Sequence, residues 1–340
     1  MNAELSRDPE RTLTVFCPLG LSNRLRVLLS GLALAEVTGR RFQMLWPITP
    51  ACAAPFADLF ANGWPVQTVD ASAVAGLLYI SGWFGHLPDL LTVEALAVTV
   101  GHPDWLIRPE HYPGHDRLMV HCRTLFAELE PIAPIQEAVE QFRRNQFRPT
   151  MVGVHLRRGD LLRQRPDVAS NTVQAFTAVD HFLDAFPDAG IFLCTDDGAI
   201  IPHTGREMRR EGVLETFRVR YGARVVWTDP RSLDRRTPQA IQDALVDLWL
   251  LRATDLLVGT QGSSFSEMAV FDRGIPYLLV AGATAGYQRL EGWARRFGIY
   301  TLLTGHGRRR LGNDVPFPAL LHYYATVPYR WVRRIVRGHP

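Results

Sequence analysis

The chain has 340 residues, which is enough for about two domains that each bury a core of their own. A composition of 47% hydrophobic and 21% charged residues is that of an ordinary globular protein, and the net charge of +3 is too small to favour a nucleic-acid ligand. All 37 basic residues are arginine. Because there is no lysine, chemistry that needs a lysine Schiff base or a Walker-type phosphate lysine is excluded.

The cysteines and the apolar runs indicate the cellular compartment of the protein. The four cysteines are widely separated and form no CxxC pair; they are Cys17, Cys52, Cys122 and Cys194. This spacing predicts reduced, buried thiols rather than disulfides or a zinc site. The polar N-terminal sequence leads directly into a strand, so we expect no secretory signal. Since no apolar run is long enough to span a bilayer, the sequence predicts a soluble, cytoplasmic protein.

The first half of the chain begins with a strand, a helix and a second strand. Short apolar runs predict strands at Leu13–Cys17 and Phe42–Trp46. Between them, leucines at helical spacing predict a helix over Asn23–Val37. A further helix is predicted at Ile135–Phe147, ending just before a proline. Residues 1–148 are therefore expected to form an N-terminal α/β domain.

The second half alternates strands with helices, which predicts a doubly wound parallel sheet in residues 149–315. Helices are predicted at Val173–Phe186 and Gln239–Arg252. The basic and aromatic tail, 316–340, either packs back on the domains as a helix or contacts a membrane surface. The predicted strands are Val152–Leu156, Ile191–Thr195, Arg224–Trp227, Leu256–Gly259 and Tyr277–Val280.

The stretch MVGVHLRRGD places two adjacent cations directly after a buried strand. Arg157, Arg158 and Asp160 follow that strand, at the edge where open α/β sheets bind their ligands. Two guanidinium groups suit a diphosphate, because each can hold phosphate oxygens through paired hydrogen bonds. The pattern favours a nucleotide or nucleotide-sugar site, with a surface salt-bridge turn as the alternative. His155 is either a pocket residue or a hydrogen-bonded core residue.

Other strand ends should add polar groups to the same edge. Ser264 and Glu267 fit a capping box, which predicts a helix over Phe265–Phe271. A serine-rich helix start binds phosphate, although a well-capped helix alone would show the same pattern.

Carboxylates follow two of the predicted strands. Asp196 and Asp197 come after one strand, and Asp229 after the next. A carboxylate there accepts hydrogen bonds from a ribose or from guanine, or it caps the following helix. The aspartate pair is not a DxD, and the histidines lack metal-ligand spacing, so no bound metal is expected.

Four motifs, in this order, resemble those of the GDP-fucose-dependent fucosyltransferases of the α-1,6, nodulation and protein O-fucosyltransferase group. The resemblance spans roughly residues 13–275. The motifs are Gly20-Leu-Ser-Asn23-Arg24, His155-Leu-Arg157-Arg158-Gly-Asp160, Thr195-Asp196-Asp197 and the segment DLWLLRATDLLVGTQGSSFSEMA.

The resemblance implies a fold of the GT-B type, with two Rossmann-like domains and a cleft between them. It also implies inverting, metal-independent transfer of fucose from GDP-fucose to a saccharide, without a cofactor. The arginine pair and the serine loop would hold the diphosphate, His155 would line the nucleotide pocket, and one of the three aspartates would recognise guanine. The residues that match the donor site are Asn23, Arg24, Arg26, His155, Arg157, Arg158, Asp196, Asp197, Asp229, Ser263, Ser264, Phe265 and Ser266.

One departure from the family concerns the catalytic base. The α-1,6 enzymes carry a Lys directly after the motif's Asp and a Glu soon afterwards, whereas here Leu161 follows and the next acidic residue is Asp167. Asp160 is therefore the candidate base, unless it instead ties Arg158 in place, and Arg158 would stabilise the departing diphosphate.

The sequence leaves two alternatives to this function. One is a glycosyltransferase with another nucleotide-sugar donor, because phosphate-binding motifs do not recognise the sugar. The other is a non-catalytic relative that binds nucleotide or glycan. The expected partners are a nucleotide-sugar donor and a saccharide or glycolipid acceptor, with peripheral contact to the inner membrane face through the basic tail.

Overall fold

The computed structural model describes residues 11–81, 90–107, 115–159, 171–196 and 211–280. These residues form two compact units. Unit 1 comprises the described residues up to Glu137 together with Pro230–Val246, and unit 2 comprises Ala138–Asp229 with the described residues from Asp247 onward. The division predicted at residue 148 stays a prediction, and the tail 316–340 lies outside the described residues.

Unit 1 is built on a parallel five-stranded sheet with the strand order β3-β2-β1-β5-β4. Its strands are β1 (Thr12–Phe16), β2 (Arg41–Ile48), β3 (Val66–Asp70), β4 (Ile80–Ser81) and β5 (Ala97–Gly101). Its helices are α1 (Leu21–Val37), α2 (Ser72–Ala75) and α3 (His115–Ala127), with a 3-10 turn at Phe56–Asp58, and the chain then enters α4 (Ala133–Gln146).

Helix α1 begins two residues earlier than the sequence predicted. The Gly20 carbonyl already accepts the amides of Asn23 and Arg24, so the first turn starts directly after this glycine. The leucines that predicted the helix, Leu25 and Leu28 among them, are fully buried. The helix ends before Gly39, whose φ of +64° is a conformation that favours glycine.

Unit 1 also includes a stretch from much later in the chain. The Ala53 amide donates to the Arg235 carbonyl at 3.2 Å, and the Gln242 side chain donates to the Asp58 carbonyl at 3.2 Å. Residues 230–246 therefore complete a unit whose sheet is made entirely of earlier residues.

Unit 2 is a second parallel five-stranded sheet, with the order β10-β9-β6-β7-β8. Its strands are β6 (Met151–Leu156), β7 (Gly190–Thr195), β8 (Val225–Val226), β9 (Leu256–Thr260) and β10 (Tyr277–Val280). Its helices are α5 (Asn171–Ala185), α6 (Glu211–Tyr221), α7 (Pro238–Arg252), which begins within unit 1, and α8 (Ser264–Ala269). A 3-10 turn, Gly222–Arg224, precedes β8.

Both faces of the unit 2 sheet are covered, which explains the continuous apolar runs in its strands. On one face, residues such as Val154 and Leu193 pack against Phe182 of α5 and Phe217 of α6. On the other face, the Phe192 ring contacts Phe142 and Phe147, with ring centroids 5.7 Å apart in each pair. Every residue of β6, β7 and β9 is buried.

In the described part of the chain, no helix combines the length and the apolar character needed to cross a membrane. The four cysteines are buried free thiols.

We expect Phe192→Ala to lower the free energy of unfolding of unit 2 by about 3–5 kcal/mol, because it removes a fully buried ring between two other rings. Urea denaturation measures this loss. The matched control, Val173→Ala, alters a side chain that is 67% exposed and should change stability by less than about 0.5 kcal/mol. Equal effects of the two substitutions would contradict this packing.

Candidate nucleotide-binding site

The candidate site lies at the carboxyl ends of the unit 2 strands. Because all neighbouring pairs in this sheet are parallel, the polar residues that follow β6, β7, β8 and β9 meet at one edge, as the sequence predicted. Strand β6 lies between β7 and β9. The arginine pair that follows β6 therefore has a strand end on each side.

From the β7 side, Asp196 fixes the backbone of the arginine segment. Its Oδ1 accepts the amide of Arg158 at 2.5 Å and that of Gly159 at 3.1 Å. A Cβ on Gly159 would lie 2.7 Å from Asp196 Oδ2, so glycine leaves room for the carboxylate. The Thr195 hydroxyl donates to the Leu156 carbonyl at 2.8 Å. Asp196 thus caps the loop that follows β6.

From the β9 side, Thr260 fixes the same segment. Its hydroxyl donates to the His155 carbonyl at 3.1 Å and accepts the Arg157 amide at 2.9 Å. The side-chain amide of Asn171 lies 3.5 Å from the same oxygen. A threonine hydroxyl offers one donor and two acceptor positions, and these three contacts use all of them.

The two arginines differ in their surroundings. The Arg158 side chain is buried, with the residue 8% exposed, and its Nη2 donates to Asn171 Oδ1 at 3.3 Å and also to Thr172 Oγ1. Arg157 is half-buried. The pair therefore presents one guanidinium nearer to solvent and one held inside unit 2.

His155 lies below the arginine pair, inside the sheet. It is 5% exposed, its Nδ1 shares a hydrogen bond of 2.6 Å with Ser266 Oγ, and its ring lies against Phe265 at a centroid distance of 5.0 Å. Burial, with the Arg157 charge as a second cause, lowers the pKa of His155 to about 3. The imidazole is therefore neutral at physiological pH and is joined to the serine loop after β9.

The serine loop differs from the sequence prediction in its helix boundaries. The predicted helix Phe265–Phe271 is wrong by one residue at its start and two at its end, because Ser263 is the N-cap and α8 spans Ser264–Ala269. Gly262, with a φ of +76°, makes the turn from β9. Ser263 Oγ makes no capping hydrogen bond, and within the described residues this buried oxygen has no partner. Ser264 and Phe265 are half-buried.

A further carboxylate lies at the ends of β7 and β8. Asp247 accepts the Thr228 hydroxyl at 2.5 Å and the Cys194 thiol at 3.5 Å. Asp229, which follows Thr228, is exposed. The sequence analysis singled out Asp229 and missed Asp247, although Asp247 opens the fourth motif. Asp160 and Asp197 lie outside the described residues.

The site residues predicted in unit 1 are engaged within that unit. Arg24 is fully buried, and its guanidinium donates to Leu19 O, Pro47 O and Thr49 Oγ1 at 2.6–2.8 Å and lies over the Trp46 ring. Burial lowers the pKa of Arg24. These contacts tie the turn after β1 to the end of β2.

Arg26 and Asn23 contact the loop that follows β5. Arg26 forms an ion pair with Asp104 at 2.7 Å and lies over the Trp105 ring. The Asn23 side chain donates to the Pro103 carbonyl and is half-buried. The motif turn of unit 1 therefore joins the carboxyl ends of β1 and β5.

The structure also adds Asn171 and Thr260 to the site, which the sequence analysis did not select. Asn171 lies in a Ser-Asn-Thr run just before the predicted helix Val173–Phe186, and such a run is typical of a helix start. That signal could have drawn attention to it. Among the described residues, no group of three or more His, Cys, Asp or Glu side chains could hold a metal ion.

Two parallel sheets with helices between their strands define the class: the fold is α/β of the GT-B type, which confirms the fold predicted from the motifs. Neither a protein-family model nor a curated protein matches the sequence. Solved structures of fucosyltransferases are nevertheless similar to its structure.

One such structure is the fucosyltransferase NodZ from Bradyrhizobium, which is 17% identical with a TM-score of 0.51 over 76% of this chain and 92% of that chain. NodZ α-1,6-fucosyltransferase soaked with GDP-fucose is 18% identical with a TM-score of 0.51, over 77% of this chain and 92% of that chain. A variant of Arabidopsis thaliana FUT1 in complex with GDP is 14% identical with a TM-score of 0.53, over 83% of this chain and 73% of that chain. At these identities the likeness establishes a shared fold.

The buried, neutral His155 should make the protein less stable in acid. Its pKa is about 3 in the native state and near its ordinary value of 6.5 in the unfolded chain, so only the unfolded chain takes up a proton between these values. Acidification from pH 6.5 towards pH 3 therefore favours unfolding. We expect His155→Gln to lose less stability than the wild type between pH 7 and pH 5, as measured by urea denaturation. Equal losses in both proteins would show that His155 is protonated in the native state.

Removing the Asp196 carboxylate should destabilise the arginine segment. Asp196→Ala leaves two backbone amides without their acceptor, at a cost of about 1–3 kcal/mol in the free energy of unfolding. Faster hydrogen exchange at the Arg158 and Gly159 amides is the specific measurement. In the control variant Asp188→Ala, which alters an exposed carboxylate, exchange at these amides should be unchanged. Unchanged exchange in Asp196→Ala would refute the capping role.

Proposed function

We propose that this chain is a glycosyltransferase that moves fucose from GDP-fucose to a saccharide or glycolipid acceptor, with inversion and without a metal ion. One observation carries the proposal. At the carboxyl ends of β6 and β9, a pair of arginines adjoins a serine-rich loop, on a fold shared with fucosyltransferases that were solved with GDP or GDP-fucose. We place the nucleotide diphosphate at this junction.

The charge of the proposed site suits the reaction. Breaking the bond between sugar and phosphate leaves negative charge on the departing GDP, and fixed guanidinium groups can stabilise it without a metal. We assign Arg157 to the more exposed side of the diphosphate and Arg158 to the buried side. The buried Ser263 hydroxyl, which lacks a partner within the described residues, is suited to a phosphate oxygen. The chain has no lysine that could serve instead.

Polar groups around the diphosphate would hold the rest of the donor. The neutral His155 would line the nucleotide pocket, and a carboxylate at the ends of β7 and β8 would accept hydrogen bonds from guanine. We keep Asp196, Asp197 and Asp229 as the proposed acceptors. From the first domain we propose contacts from Asn23 and Arg26, whereas the fully buried Arg24 would fix the turn that carries them.

The acceptor hydroxyl must lose a proton as it attacks the sugar. Asp160 remains our proposed base for that step, and its carboxylate would need to face the side of the sugar opposite the diphosphate. We further propose that the protein is cytoplasmic and that the basic tail brings it to the inner membrane face, where a lipid-linked acceptor would be found.

Calorimetric titration with GDP, GDP-fucose and UDP, with and without EDTA, tests the donor site. We expect guanine nucleotides to bind equally well in EDTA and UDP to bind weakly. Arg157→Ala and Arg158→Ala should each weaken GDP binding by about 10- to 100-fold, because each removes a hydrogen bond to a charged group. The matched control is Arg218→Ala, since Arg218 is an exposed arginine on α6 and its loss should not alter binding.

Each of the other outcomes of the titration would indicate a different conclusion about function. A preference for UDP would indicate a glycosyltransferase with another donor. Tight GDP-fucose binding without fucose transfer to any of a broad panel of saccharides would indicate a non-catalytic relative. Unchanged GDP affinity in both arginine variants would overturn the proposed diphosphate site.

A further inference from the structure

A fully buried amide lies behind the arginine pair. Asn171, the first residue of α5, is 0% exposed, and its two polar atoms point to different partners. Its Oδ1 accepts Arg158 Nη2 at 3.3 Å, and its Nδ2 lies 3.5 Å from Thr260 Oγ1. Thr172, the next residue, offers its hydroxyl to the same Nη2. One helix start thus contacts both the arginine segment and the end of β9.

The chemistry of these contacts is informative. A buried side-chain amide lowers stability unless its hydrogen bonds are made, so this position is constrained by its partners. An amide oxygen and a hydroxyl oxygen hold a guanidinium without placing a negative charge against it. A carboxylate at either position would hold the guanidinium more strongly, and it would also reduce the positive potential available to a bound diphosphate.

A carboxylate close to this segment has a different partner. Asp196 Oδ1 is used by the backbone amides of Arg158 and Gly159. The backbone amide of Arg158 is therefore bound by a carboxylate, while its Nη2 donates to the neutral oxygens of Asn171 and Thr172.

We propose that Asn171, assisted by Thr172, is a positioning residue that fixes the Arg158 guanidinium in the orientation needed to bind the donor diphosphate. The inference rests on the proposed function, because it takes the diphosphate as the ligand of Arg158. Fixing the guanidinium before the ligand arrives removes part of the entropy that binding would otherwise cost. Asn171 and Thr172 do not themselves touch the ligand in this proposal.

A double-mutant cycle tests this role. Asn171→Leu and Thr172→Val remove the acceptors with little change in size, and each is combined with Arg158→Ala. The control is Thr177→Val, the same chemical change on the same helix, since the Thr177 hydroxyl donates only to the Val173 carbonyl of its own helix in the contacts described. Affinities for GDP and for guanosine, which lacks the diphosphate, are measured by calorimetry. Thermal unfolding of each variant shows that it is folded.

We expect Asn171→Leu to weaken GDP binding roughly tenfold and Thr172→Val to weaken it severalfold, with guanosine affinity unchanged. In the Arg158→Ala background, neither substitution should weaken GDP binding further. If Asn171→Leu weakens the binding of GDP and of guanosine equally, Asn171 has only a structural role. The same conclusion follows if Asn171→Leu weakens GDP binding as much in the Arg158→Ala background as it does in the wild type. If Asn171→Leu does not fold, the same outcomes for Thr172→Val decide the proposal.

The wild-type titration separates this inference from the proposed function. If the wild type binds UDP instead of GDP, the proposed donor is wrong, and the cycle is run with UDP and uridine to test the positioning role. If the wild type binds no nucleoside diphosphate, both are overturned. If it binds GDP and Asn171→Leu binds it equally well, only the positioning role fails.

Discussion

The candidate site depends on how three backbone groups after β6 are held. The amides of Arg157, Arg158 and Gly159 are bound by side chains from the two neighbouring strand ends, Thr260 on one side and Asp196 on the other. Backbone amides beyond the end of a strand have no neighbouring strand to accept their hydrogen bonds, so these side-chain acceptors determine the conformation of the loop. The site is thus a property of the strand order β9-β6-β7 and not of the arginine motif alone.

Short and long side chains have different tasks in this arrangement. The short ones, such as Thr260, Asp196 and Thr195, have few rotamers and bind backbone groups. The long arginine side chains extend from the backbone segment that the short residues hold. Because these short residues lie at the ends of two strands, β7 and β9, the path of the arginine segment depends on how both strands pack against β6.

The sequence was sufficient for the framework of unit 2 and insufficient for the contacts within its site. The strands around the site were predicted to within about two residues, because both faces of this sheet are buried and the strands form uninterrupted apolar runs. In unit 1, β3, β5 and α3 were not predicted, since β3 is short and half exposed and the other two follow stretches rich in Pro and His. Asn171 and Thr260 are separated by 89 residues, and their partnership arises only once the sheet order is known. The edge of the sheet was predictable, whereas the pairing of donors and acceptors along it was not.

The late stretch 230–246 has a consequence for how the protein is made. Unit 1 leaves the ribosome first, and domains generally fold in that order during synthesis. Here, however, the partners of the Ala53 amide and the Asp58 carbonyl are Arg235 and Gln242, which are added only after β6, β7 and β8. A nascent chain must therefore keep unit 1 unfinished while most of the second sheet is translated. During that interval the Ala53 amide and the Asp58 carbonyl lack the partners that they have in the completed protein.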